Sequence, residues 1–311
     1  MRATKKGKAN LAHSQPESVT SLRGDLKRVI APNPSAMTYW GTNTYLLGTH
    51  EVAVIDPGPS DSTHFHKILR QLAPDARVTH VLVTHAHLDH SAGAAEFAGR
   101  VNAPVLAYGD AKTGRSADMQ ALSETGLVGG SEGVDHSFMP DQQLADGEIV
   151  ETQEWQLETI WTPGHMGNHL CFAELQTESM FTADLVMDWA TSLVSPPDGD
   201  LGAFFRSLDR LEAHPVNKIY YPGHGDPVRA PLDRVAELRS HRQTRHSQIL
   251  AALRDAPGSA HDLASRIYIE VDPRLLPAAA RNVLAHLIEM KAQSEATHDD
   301  VLCETSIFRL I

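Results

Sequence analysis

Between residues 84 and 90 the chain reads THAHLDH, three histidines and an aspartate in seven positions. So many imidazoles and a carboxylate make a poor core segment, and the histidines repel one another once protonated. A metal cation resolves the conflict, because it accepts lone pairs that apolar neighbours cannot, and histidine is the commonest metal ligand. His85 and His87 leave the apolar stretch THVLVT, so loop geometry can converge them, and Asp89 and His90 follow at once and can face a second position. Three more segments share this form of an apolar strand ending on a polar residue: TPGH offers His165, FTAD offers Asp184 and YYPGH offers His224. Gly and Pro in these segments let the backbone turn tightly, and loops on a rigid sheet are where catalytic groups assemble.

Such loops need a scaffold. VAVID followed by PGPSD reads as a buried strand and a turn. In DSTHFHKILRQL, Phe65, Ile68, Leu69 and Leu72 share one helical face, with Asp61 or Ser62 as N-cap. THVLVT is a second strand, DHSAGAAEFAGR a helix and PVLAY a third strand. A related order recurs after residue 155, with WQLETIW, LCFAEL and MFTAD as strands, LGAFFRSLDRL as a helix and NKIYYPG as a closing strand. Sheets covered by helices on their outer faces follow from this α/β pattern. Residues 109–148 lack a clear period and read as a surface excursion, a lid or an inert insertion, ending in the turn of LADGEIV.

A second unit starts near Pro231 with a long helical stretch ending in ILAALRD, then the short helix AHDLASRIY. PAAARNVLAHLIEMKAQ follows, with Pro277 in its first turn and Val283, Leu284, Leu287 and Ile288 on one face. VLCETSIFRLI closes the chain as a strand or strand pair. Three helices and then a β element is the order of a winged helix. The expected organisation is a flexible tail over 1–24, a catalytic domain over 25–230 and a winged-helix-like domain over 231–311.

A length of 311 residues accommodates one large and one small domain. No apolar run approaches the roughly 20 residues that span a bilayer, so no membrane association is expected. Cys171 and Cys303 are too few for a disulfide framework, which fits a reducing cytoplasm. The net charge of −12 is uneven: residues 25–233 hold 12 basic and 28 acidic side chains, a net of −16, whereas residues 234–311 hold ten of each. An acidic catalytic domain repels polyanions unless cations or a local basic patch intervene.

The pattern H-x-H-x-D-H, with a distant His, Asp and His and the Asp56 of VAVIDPG, resembles the metallo-β-lactamase superfamily over residues 52–226. The resemblance implies an αββα sandwich. It also implies a first metal on His85, His87 and His165, a second on Asp89, His90 and His224, and Asp184 bridging the two. GTNTYLLG, TPGHMGNHLCF, SPPDGD and the C-terminal helices are similar to a subgroup with a winged helix behind the catalytic domain, which includes an endoribonuclease and bacterial hydrolases. Two positions depart from the family pattern: Met166 stands in place of the usual Thr or Ser, and Ala183 in place of Gly before the bridging Asp.

What the resemblance implies chemically is hydrolysis by a hydroxide shared between two divalent cations, zinc with iron or manganese as alternatives, and oriented by Asp89 as the catalytic carboxylate. The expected substrate is a small ester, thioester or lactone. One alternative is an endoribonuclease acting on single-stranded RNA, and another a mononuclear iron sulfur dioxygenase. Charge ranks them: in the second unit only LRSHRQTRH, with Arg239, Arg242 and Arg245, forms a basic cluster, and nucleic-acid readers display a broad basic face. A small-molecule partner is therefore expected, nucleic acid is disfavoured, and a homodimer is left open. His169 reads equally as a partner of the ligands or a structural residue, Tyr39 and Trp40 equally as substrate contacts or packing. His64, His66, His80, His136 and His214 read as surface or satisfied residues.

Overall fold

A computed structural model describes residues 16–129, 133–269, 276–299 and 301–311. Two sheets form the centre. The first runs β1 (Val19–Arg23), β2 (Leu26–Ile30), β3 (Asn43–Leu47), β4 (Glu51–Ile55), β5 (Arg77–Leu82), β6 (Val105–Ala107), β7 (Gln142–Gln143), antiparallel up to β4 and parallel beyond it. The second runs β12 (Ile219–Pro222), β11 (Ser179–Ala183), β10 (Leu170–Glu174), β9 (Gln156–Trp161), β8 (Ile149–Glu151), with only the β11–β12 pair parallel.

The period-2 alternation of strands divides the apolar side chains between two faces. Tyr45, Leu47, Ala53 and Ile55 of the first sheet meet Leu157, Leu170, Phe172 and Phe181 of the second in a core between the sheets. Leu46, Val52 and Val54 point outward, onto Phe65 and Ile68 of α1 (Ser62–Leu69) and Phe97 of α3 (Ala94–Val101). On the far side Cys171, Ala173 and Met180 pack against Phe204, Leu208 and Leu211 of α5 (Leu201–Ala213). The four layers are the expected αββα sandwich.

The helix expected over DHSAGAAEFAGR is broken into α2 (Leu88–Ser91) and α3. Gly93 marks the break, since a Cβ there would lie 2.8 Å from the Phe65 ring and 2.9 Å from Gly58 O. Asp61 caps α1 through His64 N, as expected from the sequence. Residues 19–23 correct the expected tail: β1 pairs with β2 along an edge, and its half-exposed polar side chains hid it from hydrophobic patterning. Residues 1–15 of that tail lie outside the described residues.

The excursion over 109–148 contains α4 (Ala117–Glu124), whose Met119 and Leu122 are buried in the core of the C-terminal unit. That unit is built from α6 (Pro231–Asp255), α7 (Ala260–Ile267), α8 (Leu276–Ala292) and a small sheet of β13 (Ala296–Thr297) with β14 (Arg309–Leu310). Val283, Leu284, Leu287 and Ile288 face its core, as their spacing requires. The long helix α6 serves both bodies: Val235 and Leu238 pack with α5, and Ile249, Ala252 and Leu253 with α7 and α8.

The arginines of α6 do not form a free basic face. Arg239 is paired with Asp209 at 2.7 Å and Glu212 at 2.6 Å, and Arg245 lies 4.0 Å from the centroid of the Tyr268 ring. Arg242 is buried over the Phe204 ring. Among the described residues no helix is long and apolar enough to cross a membrane.

If α4 is a strut between the two bodies rather than a surface decoration, Leu122→Ala should destabilise the protein by about 2–5 kcal/mol in urea unfolding. A change below about 0.5 kcal/mol, the range of ordinary surface positions, would show that α4 contributes no such contact.

Candidate metal centre

Parallel pairing sends the C-terminal ends of β4 and β5 to one edge of the first sheet, and those of β11 and β12 to one edge of the second. β9 also ends there, because it is antiparallel to β10 and β10 to β11. The residues that follow these strands are Asp56, the run His85–His90, Asp184, His224 and His165. All seven candidate ligands are buried at this edge.

Their donor atoms fall into overlapping groups. His85 Nε2 and His165 Nε2 lie 2.9 and 3.0 Å from His87 Nδ1. His90 Nε2 and His224 Nε2 lie 3.2 and 3.3 Å from Asp89 Oδ2. Asp184 stands between the groups, with Oδ1 3.5 Å from His90 Nε2 and Oδ2 3.5 and 3.4 Å from His165 Nε2 and His224 Nε2. Two of these atoms, His90 Nε2 and Asp184 Oδ1, are buried without a hydrogen-bond partner among the described residues. Converging lone pairs and orphaned buried polar atoms are what a divalent cation would satisfy, and nitrogen and oxygen donors suit zinc, iron or manganese.

Four of the histidines are turned by oxygen acceptors behind them. His90 Nδ1 donates to Asp56 Oδ2 at 2.8 Å. Thr84 Oγ1 gives its proton to Asp56 Oδ2, so it accepts from His85 Nδ1 at 2.9 Å. His165 Nδ1 donates to Leu193 O at 2.7 Å, and His224 Nδ1 faces Gly41 O at 3.3 Å. Each bond puts the proton on Nδ1 and turns the Nε2 lone pair towards the cluster. Thr42 Oγ1 donates to Asp89 Oδ2 at 2.8 Å.

Electrostatics divide the cluster. Burial, helped by mutual repulsion, holds His85 well below the ordinary imidazole value and brings His87 down to about 3. Burial also lowers His165, against the pull of Asp184. In the other group burial is overcome: Asp89, Asp184 and Asp56 raise His90 well above its ordinary value, and Asp184 and Asp89 push His224 up to about 10. Burial is likewise outweighed at Asp89 by His90 and His224, and at Asp184 by His224 and His90, so both carboxyls titrate far below their usual range.

Other candidates fall differently. His169 bonds Thr162 Oγ1 at 2.9 Å and packs its ring 5.2 Å from that of His85, contacting none of the seven ligands through a hydrogen bond. Tyr39 and Trp40 do not line the cavity over the cluster; they stack behind Trp189, which does. His64 is buried, bonded to Thr44 at 2.8 Å and lowered to about 4 by burial. His66 and His136 are exposed, and His80 and His214 half-buried. Met166 fills the core beside the first sheet. Ala183 adopts φ +42°, the left-handed conformation that its family's usual glycine takes without strain. Sequence reading missed Thr42 and the Leu193 carbonyl: the first lay inside the quoted GTNTYLLG, and the second is a backbone group with no sequence signature.

Residues 37–224 match the family profile described as "Metallo-beta-lactamase superfamily", and residues 259–301 the one described as "Beta-lactamase associated winged helix domain". The chain is 29% identical over 289 residues to "Beta-lactamase-like protein 2 homolog" of Drosophila melanogaster, covering 89% of this chain and 91% of that protein. It is 32% identical over 241 residues to "Thioesterase pkgB" of Emericella nidulans, a match over 76% of this chain that spans only 62% of the relative. In fold it is similar to a beta-lactamase domain protein from Burkholderia ambifaria, with a TM-score of 0.78 at 22% identity over 97% of this chain and 96% of that one.

The two groups should differ in how cation binding depends on pH. His85, His87 and His165 are neutral at pH 7, whereas His90 and His224 carry protons that a cation must displace. Because their folded values are raised, the stabilisation from those protons is fully present below about 6.5 and lost as pH rises through the folded values, so binding at the second group strengthens with pH across that window. Calorimetry of zinc binding at pH 7, in buffers of different ionisation enthalpy, should report about two protons released on filling both positions. Release of none would contradict the charge assignment.

Proposed function

The chain belongs to the metallo-beta-lactamase superfamily and is a hydrolase, and on that premise we propose that it hydrolyses a small ester, thioester or lactone at a two-cation centre. His85, His87 and His165 would hold one cation, Asp89, His90 and His224 the other, and Asp184 would touch both. Two divalent cations supply Lewis acidity towards the scissile carbonyl and make water a competent nucleophile near neutral pH.

The chain's own groups do the rest. Asp89 is the catalytic carboxylate: the hydroxyl of Thr42 fixes it from behind, so that it can orient the attacking water. The Asp56 and Leu193 bonds keep the imidazoles aimed while charge develops. Opposite them, Met37, Met187, Trp189 and Leu193 line an apolar wall suited to an acyl or leaving group. Neither cysteine is a candidate nucleophile, since Cys171 is buried behind the second sheet and Cys303 lies in the C-terminal unit.

One observation carries the choice of substrate class. The cavity above the cluster has a volume of about 210 Å³, and among the described residues no lysine or arginine lines it. A phosphodiester chain would bring its charges to a wall without a cationic partner among the described residues, in an acidic domain. The α6 arginines are engaged with Asp209, Glu212, Asn282 and the Tyr268 ring, which removes the basic cluster an RNA reading would call on. The likeness to "Thioesterase pkgB" supports the acyl reading from a separate direction. Convergence of Asp89, His90 and His224 favours two cations over the mononuclear dioxygenase alternative.

Zinc- or manganese-loaded protein should turn over small thioesters, esters or lactones with kcat/KM nearly independent of salt, and leave single-stranded RNA intact. Asp89→Ala should lower kcat by about 100-fold or more. Cleavage of RNA, with log affinity falling by about 0.7 per contacted phosphate against log salt, would replace this reading with the nuclease one.

A further inference from the structure

The segment from Leu185 to Gly199 joins β11 to α5, follows directly on Asp184 and walls the cavity, yet contains neither helix nor strand. Buried carbonyls of such a segment still need donors. Between Val186 and Val194 no backbone–backbone hydrogen bond is present among the described residues. Side chains supply the donors instead. Arg234 Nε donates to Met187 O and its Nη2 to Ala190 O, both at 2.7 Å. Arg242 Nη2 donates to Ser192 O, and its Nη1 to Asn282 Oδ1 at 2.6 Å. The next carbonyl, Leu193 O, is the acceptor that orients His165.

Both arginines belong to α6, the helix that opens the C-terminal unit, and Asn282 belongs to α8 and lines the cavity. Arg242 is 1% exposed and has no carboxylate partner among the described residues. A guanidinium buried in this way is expensive, and an apolar side chain of similar size would fill the space without that expense. Its polar contacts are what distinguish it from such a filler.

We propose that Arg234 and Arg242 are positioning residues, through which the winged-helix unit sets the 187–193 segment and, one residue further on, the imidazole of His165. On this account the C-terminal unit acts on the catalytic centre by holding its wall, not by reading a polymer. The inference rests on the reading of the cluster as a cation centre, and is independent of which bond is hydrolysed. Without the α6 donors, the carbonyls at 187, 190 and 192 turn to water. The segment then leaves its place, Trp189 unstacks from Tyr39, which it meets at 4.7 Å between ring centroids, and His165 loses its acceptor.

The test uses the full chain and the variants Arg234→Gln, Arg234→Lys and, as a control on the same helix, Arg239→Gln. Arg234 is partly exposed, so its loss is compatible with folding, whereas Arg242 variants risk general unfolding. Arg239→Gln removes two ion pairs but touches no carbonyl of the segment. Three quantities are read: zinc affinity by calorimetry, Trp189 emission by difference against Trp189→Phe in each background, and the separate changes in kcat and KM for whichever small ester or thioester is turned over. Arg234→Gln is expected to weaken zinc binding by about tenfold, as removal of a group supporting a ligand does, and to shift Trp189 emission to the red. Arg234→Lys, which keeps the charge and one donor, should recover part of both, and Arg239→Gln should stay within about twofold of the parent in zinc affinity. Equal effects of Arg234→Gln and Arg239→Gln on zinc affinity and Trp189 emission would overturn the proposal and reduce Arg234 and Arg242 to general packing and polar contacts of α6. If no ester or thioester is turned over, the substrate reading fails while the zinc and fluorescence results still decide the clamp.

Discussion

The Asp56 carboxylate accepts hydrogen bonds from Thr84 N, Thr84 Oγ1 and His90 Nδ1, all at 2.8 Å. It does so from the end of β4, at φ +51°, a conformation uncommon for a residue with a side chain. That single group joins the end of β4 to the end of β5 and to α2, and through Thr84 and His90 it determines which nitrogens of His85 and His90 face the cluster. Remove it, and parallel pairing would still bring the strand ends together, but the imidazoles of His85 and His90 would no longer be aimed. Strain at Asp56 and at Ala183, on opposite sides of the cluster, fits a pattern in which backbone conformation is overruled where ligand direction matters.

The other half of the centre is held differently. The first sheet supplies its ligands from one strand and the turn that follows, supported by a buried carboxylate. The second sheet supplies them from three separate strand ends, and the longest connection there is irregular. Its carbonyls are met by Arg234, Arg242 and His165, so the C-terminal unit takes over the supporting work that Asp56 does opposite. This accounts for an α6 that packs with both bodies and turns Arg234 and Arg242 towards the segment. An acidic catalytic domain fits the proposed ester, thioester or lactone, which would need no positive approach, and the proposed cations would offset the local carboxylates.

Much of this was legible in the sequence, for a physical reason. Metal donors at strand exits leave a double signature, an apolar run and then His or Asp, and all seven candidates read that way converge at one edge. The long amphipathic elements were equally plain, since burial of Phe65 and Ile68 or of Leu284 and Leu287 follows directly from helical spacing. What stayed hidden depends on distant partners. The strand β1 has a single apolar side chain on each face, Val19 and Leu22, too few for a period to show, and α4 finds its apolar partners only in the C-terminal unit, to which Met119 and Leu122 dock. Arg242 looked like part of a charged surface run, although it follows Val235 by seven positions and precedes Ile249 by seven, on the buried stripe of α6. Residue type suggested exposure and periodicity burial; periodicity was right, because the Ser192 carbonyl and the Asn282 side chain accept from its buried guanidinium.

On the proposed function, one buried cluster would hold two cations, with Asp184 common to both. Diffraction from crystals soaked in zinc, recorded at the zinc absorption edge, tests it most directly. Two anomalous peaks are expected, one among His85, His87 and His165, the other among Asp89, His90 and His224, each within bonding distance of Asp184. A single peak at saturating zinc, or a second that does not touch Asp184, would contradict the account.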